Sequence, residues 1–367
     1  MRILFTGGGT GGHLFPIVAV AREIKKIYKP KEGEKLEMLF VGPQTIGEEI
    51  LWKDEIAKKT IWAGKFRRYF SIQNFFDIFL VPIGILQSLW ILFVFMPNVI
   101  FSKGGYGSVP VVLAAWLYRI PVLIHESDSY PGLANRLLAK FSKRIAISFN
   151  KATEFFPAHK TALIGNPVRQ EILTGSKEQA KAIFQLISQK PLLLILGGSQ
   201  GAKAINDSIF IGLLGMLEKC EIIHQCGREN LEDLKTMLGD IPSGYHLYSF
   251  LDEEQMRHAL AAADLVISRA GAGSIAEIAA CGKPSIMIPL PNSAGDHQNL
   301  NAYEYAKSGA TLVVAQENFT PNFLKDRAIV LLQNPTLLSQ MSQQAKSFAK
   351  LDAAQKIAEE VLNIAKH

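Results

Sequence analysis

The sequence predicts an α/β protein built as two doubly wound, Rossmann-like domains. Three observations lead there. An apolar run, a glycine-rich loop and an apolar-periodic segment follow one another at 2–27. The same plan returns at 191–217, where Pro191-Leu192-Leu193-Leu194-Ile195-Leu196 leads through Gly197-Gly198-Ser199-Gln200-Gly201-Ala202 into a second helical pattern. Short apolar runs alternate with helical patterns through most of the chain, as a parallel sheet requires. At 367 residues, 48% of them hydrophobic, the chain is long enough for two cores.

The opening loop, Thr6-Gly7-Gly8-Gly9-Thr10-Gly11-Gly12-His13, joins a strand at 2–6 to a helix at 17–28. Such a junction turns backbone N–H groups and a helix N-terminus toward an anion. His13 ends the loop, so a group that titrates near neutrality stands beside whatever is bound. Gly7, Gly9 and Gly12 satisfy the dinucleotide fingerprint G-x-G-x-x-G. That fingerprint also needs an acid after the second strand, and here 36–41 ends in Gly42-Pro43-Gln44, which disfavours a nicotinamide cofactor.

A helix is expected over 47–58. The stretch 74–96 follows, uncharged from Ile78 to Met96. It reads as two helical pieces broken near Pro82. By pattern it is a buried core helix, a membrane-surface patch preceded by Lys65, Arg67 and Arg68, or by length alone a span. After strand 99–101 comes a second glycine loop, Ser102-Lys103-Gly104-Gly105-Tyr106-Gly107-Ser108, then helix 109–118 and strand 121–124. That strand ends in His125-Glu126-Ser127-Asp128, a candidate acid/base group, although Ser127 and Asp128 equally suit the cap of helix 131–141. Lys140, Lys143 and Arg144 at the end of that helix are a solvated face or a basic rim.

A turn-rich link, Gly165-Asn166-Pro167-Val168-Arg169, sets a domain boundary near Ile164, and 174–190 reads as helical. The expected domains are 1–164 and 165–340, with a helical segment 341–367 packing back on the first. The loop at 197–202 lacks the G-K-[ST] ending of a Walker A motif. Helix 203–217 and strands 221–225, 245–250 and 265–268 precede Arg269-Ala270-Gly271-Ala272-Gly273-Ser274-Ile275-Ala276-Glu277. There a helix start offers N–H groups, and Glu277, one turn in, suits a ribose diol or an ordinary dipole contact. Strand 285–290 leads to the polar run Gly295-Asp296-His297-Gln298-Asn299, with donors and acceptors enough for a sugar. Helices 321–333, 336–349 and 352–366 complete the chain.

A net charge of +6 favours an anionic partner. Nucleic acid is not expected, because Lys65-Phe66-Arg67-Arg68-Tyr69 is the one basic cluster interleaved with aromatics. Three cysteines without a C-x-x-C pair point to a reducing compartment, and with a strand at residue 2 no signal peptide is expected.

Taken together, the blocks resemble the MurG family of bacterial glycosyltransferases, which completes the lipid-linked peptidoglycan precursor. The resemblance covers essentially the whole chain. It rests on Gly8-Gly9-Thr10-Gly11-Gly12-His13 with Pro16, Lys103-Gly104-Gly105-Tyr106, His125-Glu126 before Pro131-Gly132-Leu133-Ala134-Asn135, and Gly165-Asn166-Pro167-Val168-Arg169. It continues through 197–202, Arg269-Ala270-Gly271-Ala272, Glu277 and Asp296-His297-Gln298. It implies a GT-B fold, two Rossmann-like domains facing across a cleft, and an inverting transfer of N-acetylglucosamine from its UDP donor to undecaprenyl-pyrophosphoryl-muramoyl-pentapeptide. No metal and no cofactor are implied, and no D-x-D motif occurs. Implied partners are the two substrates, inner-leaflet anionic phospholipid and other cell-wall synthesis proteins, at the cytoplasmic face of the inner membrane.

The resemblance also implies roles. Ser199 would bond the donor phosphate, Leu251 the uracil edge through its backbone, Glu277 the ribose and Gln298 the donor sugar. Ala272, Gly273, Ser274, Ile275 and Ala276 would supply helix-start N–H groups. Thr10, Gly11, Gly12 and Arg169 would line the donor pocket from the other domain. Gly104, Gly105 and Tyr106, with the first loop, would cradle the acceptor diphosphate. His13 is the expected general base, with His125 and Glu126 as alternatives. Asp128 departs from the family, where many members carry Asn at a donor contact. Other readings kept open are a GT-B transferase with a different lipid acceptor, a nicotinamide oxidoreductase, and a silent sugar-nucleotide binding module.

Overall fold

A computed structural model describes residues 1–8, 11–30, 33–44, 49–64, 72–198, 202–318 and 320–366, the side chains of 72–79 excepted. The chain forms two compact units, 1–169 with 350–367, and 170–349.

The first unit contains β1 (Arg2–Thr6), α1 (Gly11–Ile27), β2 (Glu37–Gly42), α2 (Glu49–Lys53), β3 (Ala57–Thr60), α3 (Ile72–Phe95), β4 (Val99–Ser102), α4 (Val109–Leu117), β5 (Val122–Glu126), α5 (Leu133–Leu138), β6 (Arg144–Ile147) and β7 (Thr161–Leu163). Its seven strands are all parallel, in the order β3-β2-β1-β4-β5-β6-β7. Parallel strands are covered on both faces and so read as continuous apolar runs. Within β1, Ile3 and Phe5 face a core with α1, while Leu4 faces a second core with α4.

The second unit contains α6 (Lys177–Phe184), β8 (Leu192–Leu196), α7 (Lys203–Leu217), β9 (Glu221–Gln225), α8 (Leu231–Leu238), β10 (Tyr245–Tyr248), α9 (Glu253–Ala262), β11 (Leu265–Ser268), α10 (Ala272–Ala280), β12 (Ser285–Met287), α11 (His297–Ala306), β13 (Thr311–Val313), α12 (Pro321–Leu332) and α13 (Pro335–Phe348). Its six strands are parallel in the order β10-β9-β8-β11-β12-β13. The last helix, α14 (Ala353–Lys366), belongs to the first unit, where Ile357, Ala358, Val361 and Leu362 join the α1 core.

Several local expectations are corrected. The helix expected at 47–58 is only α2, and Ala57–Thr60 is an edge strand whose polar residues hid it. The helical segment expected at 174–190 shrinks to α6, which ends where Gln185 turns left-handed at φ 53°. Arg144, read as a helix end, opens strand β6. The two pieces expected around Pro82 are one helix, α3. A proline removes one hydrogen bond and strains a turn, but tight packing resumes directly after it. A Cβ on Gly84 would lie 2.1 Å from the Trp62 carbonyl oxygen, and Ser88 and Leu92 are buried. The helix therefore serves two surroundings. Leu89, Ile91, Leu92 and Phe95 pack toward the sheet, while Leu86, Trp90, Phe93 and Val94 are exposed. Among the described residues no helix is long and apolar enough to cross a membrane.

Candidate active site

Each sheet has one place where neighbouring strands send their connections to opposite sides, between β1 and β4 in the first and between β8 and β11 in the second. In open parallel sheets, ligands bind at that point, beyond the carboxyl ends of the strands. The loops leaving these four strands are the glycine-rich blocks after Thr6, Ser102, Leu196 and Ser268. The topology therefore pairs the loops within each unit.

In the first unit, the two loops close around His13. A Cβ on Gly8 would come 3.1 Å from His13 Nε2, and one on Gly105 would meet Gly8 Cα at 3.0 Å and His13 Cε1 at 3.2 Å. Gly104 and Gly105 both hold φ near +80°, which side chains disfavour, and a Cβ on Gly104 would strike Asn135 Oδ1 at 2.3 Å. His13 is half-buried, and its buried Nδ1 has no hydrogen-bond partner among the described residues. Burial first, and then the Lys103 charge, lower its pKa to about 4, against an opposing pull from Asp128. The imidazole is therefore unprotonated at pH 7 and able to accept a proton, as a weaker base than a solvated histidine.

His125 and Glu126 lie within β5. His125 is fully buried, its Nε2 2.9 Å from the Gly165 carbonyl oxygen, and burial holds its pKa well below the usual histidine value. Glu126 accepts from the Asp128 N–H at 2.9 Å, the Gly132 N–H at 3.2 Å and the Asn135 amide at 3.0 Å. Burial, then the Asp128 charge, raise its pKa to about 7. It anchors the 127–132 loop. Ser127 and Asp128 do not cap the following helix, since α5 starts from Gly132 without a side-chain cap. Arg169 is buried, with its guanidinium 4.3 Å above the Phe15 ring of α1. Tyr106 opens a short helical turn after Gly105, and Gly11 and Gly12 start α1. Thr10 lies outside the described residues.

In the second unit, α10 starts at Ala272 from Gly271, which offers no side-chain cap, so the N–H groups of Gly273 and Ser274 are presented without one. Ile275 and Ala276 continue the first turns, and Glu277 is half-buried one turn further on. Arg269 stands behind this start. Its guanidinium donates to the Ile288 and Pro289 carbonyls and, at 2.7 Å, to Gln316. Gln298 Oε1 accepts from the Leu290 N–H at 2.9 Å, which leaves its NH2 to donate elsewhere. The Leu251 N–H donates to Gln225 Oε1 at 2.9 Å. Ser199 lies outside the described residues.

Three further residues, to which the sequence reading gave no role, hold these loops. Lys103 is buried, with its ammonium on Ser127 Oγ. Asn135 ties the His125 carbonyl to Glu126. Gln225 bridges Gly198 and Leu251. Only Lys103 carried a usable signal, a lysine closing a strand directly before a glycine pair.

Two parallel doubly wound units with glycine loops at both switch points are the architecture of the GT-B fold, and the family comparison adds the class, a glycosyltransferase that uses a nucleotide sugar. The chain belongs to glycosyltransferase family 28, its residues 3–147 matching the family's N-terminal domain and 192–357 its C-terminal domain. The resemblance carried by the motifs is borne out. A Clostridium kluyveri protein, 40% identical with 97% of each chain covered, is named UDP-N-acetylglucosamine--N-acetylmuramyl-(pentapeptide) pyrophosphoryl-undecaprenol N-acetylglucosamine transferase. The crystal structure of Acinetobacter baumannii MurG matches at TM-score 0.73 and 27% identity over 99% of both chains. A Neisseria meningitidis UDP-GlcNAc 2-epimerase matches at TM-score 0.69 and 16% identity over 99% of this chain and 100% of its own, a likeness of fold alone.

Proposed function

We propose that the chain transfers N-acetylglucosamine from UDP-N-acetylglucosamine to undecaprenyl-pyrophosphoryl-N-acetylmuramoyl-pentapeptide, with inversion, in peptidoglycan synthesis. The observation that carries this reading is His13 held between the two glycine loops at the first switch point, where the attack needs a proton acceptor. Relatives named for this activity align along nearly the whole chain. The acceptor hydroxyl attacks the anomeric carbon and gives its proton to the His13 imidazole. The bond to the diphosphate breaks, and UDP leaves with the electron pair. The start of α10 steadies that negative charge, as a helix N-terminus can. Glu277 holds the ribose and Gln298 the sugar. His125 and Glu126 support the loop rather than exchange protons with substrate, because each is buried with partners inside the protein.

The acceptor's prenyl chain lies in a bilayer, and the first unit carries an apolar face to meet it. Leu86, Trp90, Phe93 and Val94 on α3, Trp116 and Leu117 on α4, and Leu133 and Leu137 on α5 are exposed. Arg119, Arg136, Lys140 and Lys143 are exposed along α4, α5 and their ends. An apolar face rimmed by cations fits a peripheral protein on anionic phospholipid, at the cytoplasmic face of the inner membrane. Other cell-wall synthesis proteins are proposed partners there. The reading is tested by following labelled N-acetylglucosamine from UDP to a short-chain muramoyl lipid. Transfer supports it, and UDP-sugar binding without transfer would return it to a different acceptor or a silent binding module.

A further inference from the structure

We propose that Gln225 is a positioning residue of the donor site: its side-chain amide ties the loop after β8 to the loop after β10, and so holds the anion end and the base end of a nucleoside diphosphate at a fixed separation. The inference rests on the reading above, in which the second unit receives a UDP-sugar.

The order of strands places the parts of such a ligand. The α10 start and the glycine loop after β8 leave the neighbouring strands β11 and β8 at the switch point, and suit the diphosphate. Gln298, the proposed sugar contact, follows β12, so the sugar lies on the β12 side. The nucleoside then extends the other way, across β9 toward the loop after β10, which contains Leu251. Strand β9 runs between β8 and β10, and Gln225 is its last residue. The side chain belongs to a residue only 3% exposed, and both ends of its amide are used. Nε2 donates to the Gly198 carbonyl at 3.2 Å, and Oε1 accepts from the Leu251 N–H at 2.9 Å. A carbonyl on one side and an N–H on the other leave the amide one orientation. The loops it joins leave strands two spacings apart, about 10 Å.

Other bonds hold the framework around it. The ladder runs up to both loops without this side chain: the Gly197 N–H donates to the Gln225 backbone carbonyl, the Cys226 N–H to Tyr248 and the Gly227 N–H to Ser249. Asn206 ties α7 to β9, its amide donating to the Cys226 carbonyl at 2.9 Å. Helix α9 starts from its own capping box, Asp252 with Gln255. The Gln225 amide adds the link between Gly198 and Leu251, so its loss should change how the donor is held more than whether the unit folds. The experiment uses the full-length protein with Gln225→Met, which keeps the length and removes the hydrogen bonds, and Gln225→Asn, which keeps the amide on a stem too short to reach both loops. It reads Kd for UDP and CDP, inhibition by inorganic pyrophosphate, donor and acceptor KM, kcat and thermal stability. CDP differs from UDP only at the base edge, so the preference for UDP reports the Leu251 loop. Pyrophosphate reports the anion end.

Gln225→Met is expected to raise the pyrophosphate inhibition constant about fivefold and to lower the preference for UDP over CDP about fivefold, one hydrogen bond lost at each end. Donor KM should rise about tenfold or more, with kcat changed less than about threefold and acceptor KM unchanged. A residue that only supports the fold would lower the melting temperature and the active fraction, hence kcat, and leave the preference for UDP alone. Gln225→Asn should lose at least one of the two effects, anion affinity or base preference. If only one of them moves in Gln225→Met, or neither, or if Gln225→Asn behaves as the unmodified chain, the inference is overturned and the proposed function stands. An unmodified chain that does not prefer UDP would overturn both. If Gln225→Met does not fold, Gln225→Asn decides: folded with either effect lost, it supports the inference, and folded with both retained, or unfolded, it overturns it.

Discussion

The two switch points use different chemistry for what is formally the same task. The first gathers His13, Lys103, His125, Glu126 and Asp128 around two glycine loops. The second offers backbone N–H groups at an uncapped helix start, neutral amides from Gln225 and Gln298, and the carboxylate of Glu277. A leaving diphosphate needs fixed positive potential that does not change with pH, and a helix N-terminus supplies it. A proton acceptor must titrate, and its pKa must be set by neighbours. The division of labour follows. In the proposed function, binding rests mainly on backbone at 271–277 and proton transfer on His13.

The contrast breaks most sharply at the histidines. His13→Ala should lower kcat by about 10²- to 10⁴-fold, the usual worth of a general base, with donor KM little changed. His125→Ala should mainly lower the melting temperature, since it deletes a buried bond to the Gly165 carbonyl. A larger kcat loss in His125→Ala than in His13→Ala would reverse the roles. The pH profile gives an independent reading. In the proposed mechanism the neutral imidazole is the active form, and burial lowers its pKa to about 4. Activity as kcat/KM should therefore persist as pH falls through 6.5 and be lost only on approach to about 4. A limb at 6.5 would mean that the base is a solvated histidine.

On the other side of the comparison, Glu277→Ala should raise the donor KM by about tenfold or more with a smaller change in kcat, the loss of a charged hydrogen bond. An unchanged donor KM, measured by initial rates, would remove Glu277 from the donor site. The proposed membrane face belongs to neither switch point. Replacing Trp90 and Phe93 together by Ser should weaken binding to anionic vesicles by about tenfold, while transfer to a water-soluble acceptor analogue is retained. Vesicle sedimentation of the intact and substituted proteins measures this, and equal binding would place the contact elsewhere.

How much of this was legible in the sequence depended on how local the signal was. The strand at 192–196 and the helix at 203–217 are found as read, because buried parallel strands are continuous and apolar and α7 keeps its period. The edge strands β3, β7 and β13 were missed. They are three or four residues long and partly polar, so their strand character comes from a neighbour's ladder. The unbroken α3 was missed because packing at Gly84 and Ser88 overrides Pro82. Candidate residues such as His13 and Glu277 could be named because loop and helix start are contiguous in sequence. The environment of Lys103 could not, since it joins residues from α1, β5 and the loop after it, and only the fold brings those together.

The smallest expected effect is also the most direct probe of the backbone site. Gly271 precedes α10 with φ −66° and ψ 140°, a conformation any residue adopts, and a Cβ there meets nothing nearer than Ser274 Oγ at 4.0 Å. Gly271→Ser therefore fits without strain and can cap the helix, a gain over glycine of only a few tenths of a kcal/mol. A serine hydroxyl that accepts from the N–H of Gly273 or Ser274 occupies the donors a diphosphate would use. The expected outcome is opposed changes: a melting temperature slightly raised, and a donor KM raised by about two- to fivefold. If both stability and donor affinity rise together, the first turn of α10 does not hold the diphosphate. The anion would then lie at the other loop of the second switch point, after β8.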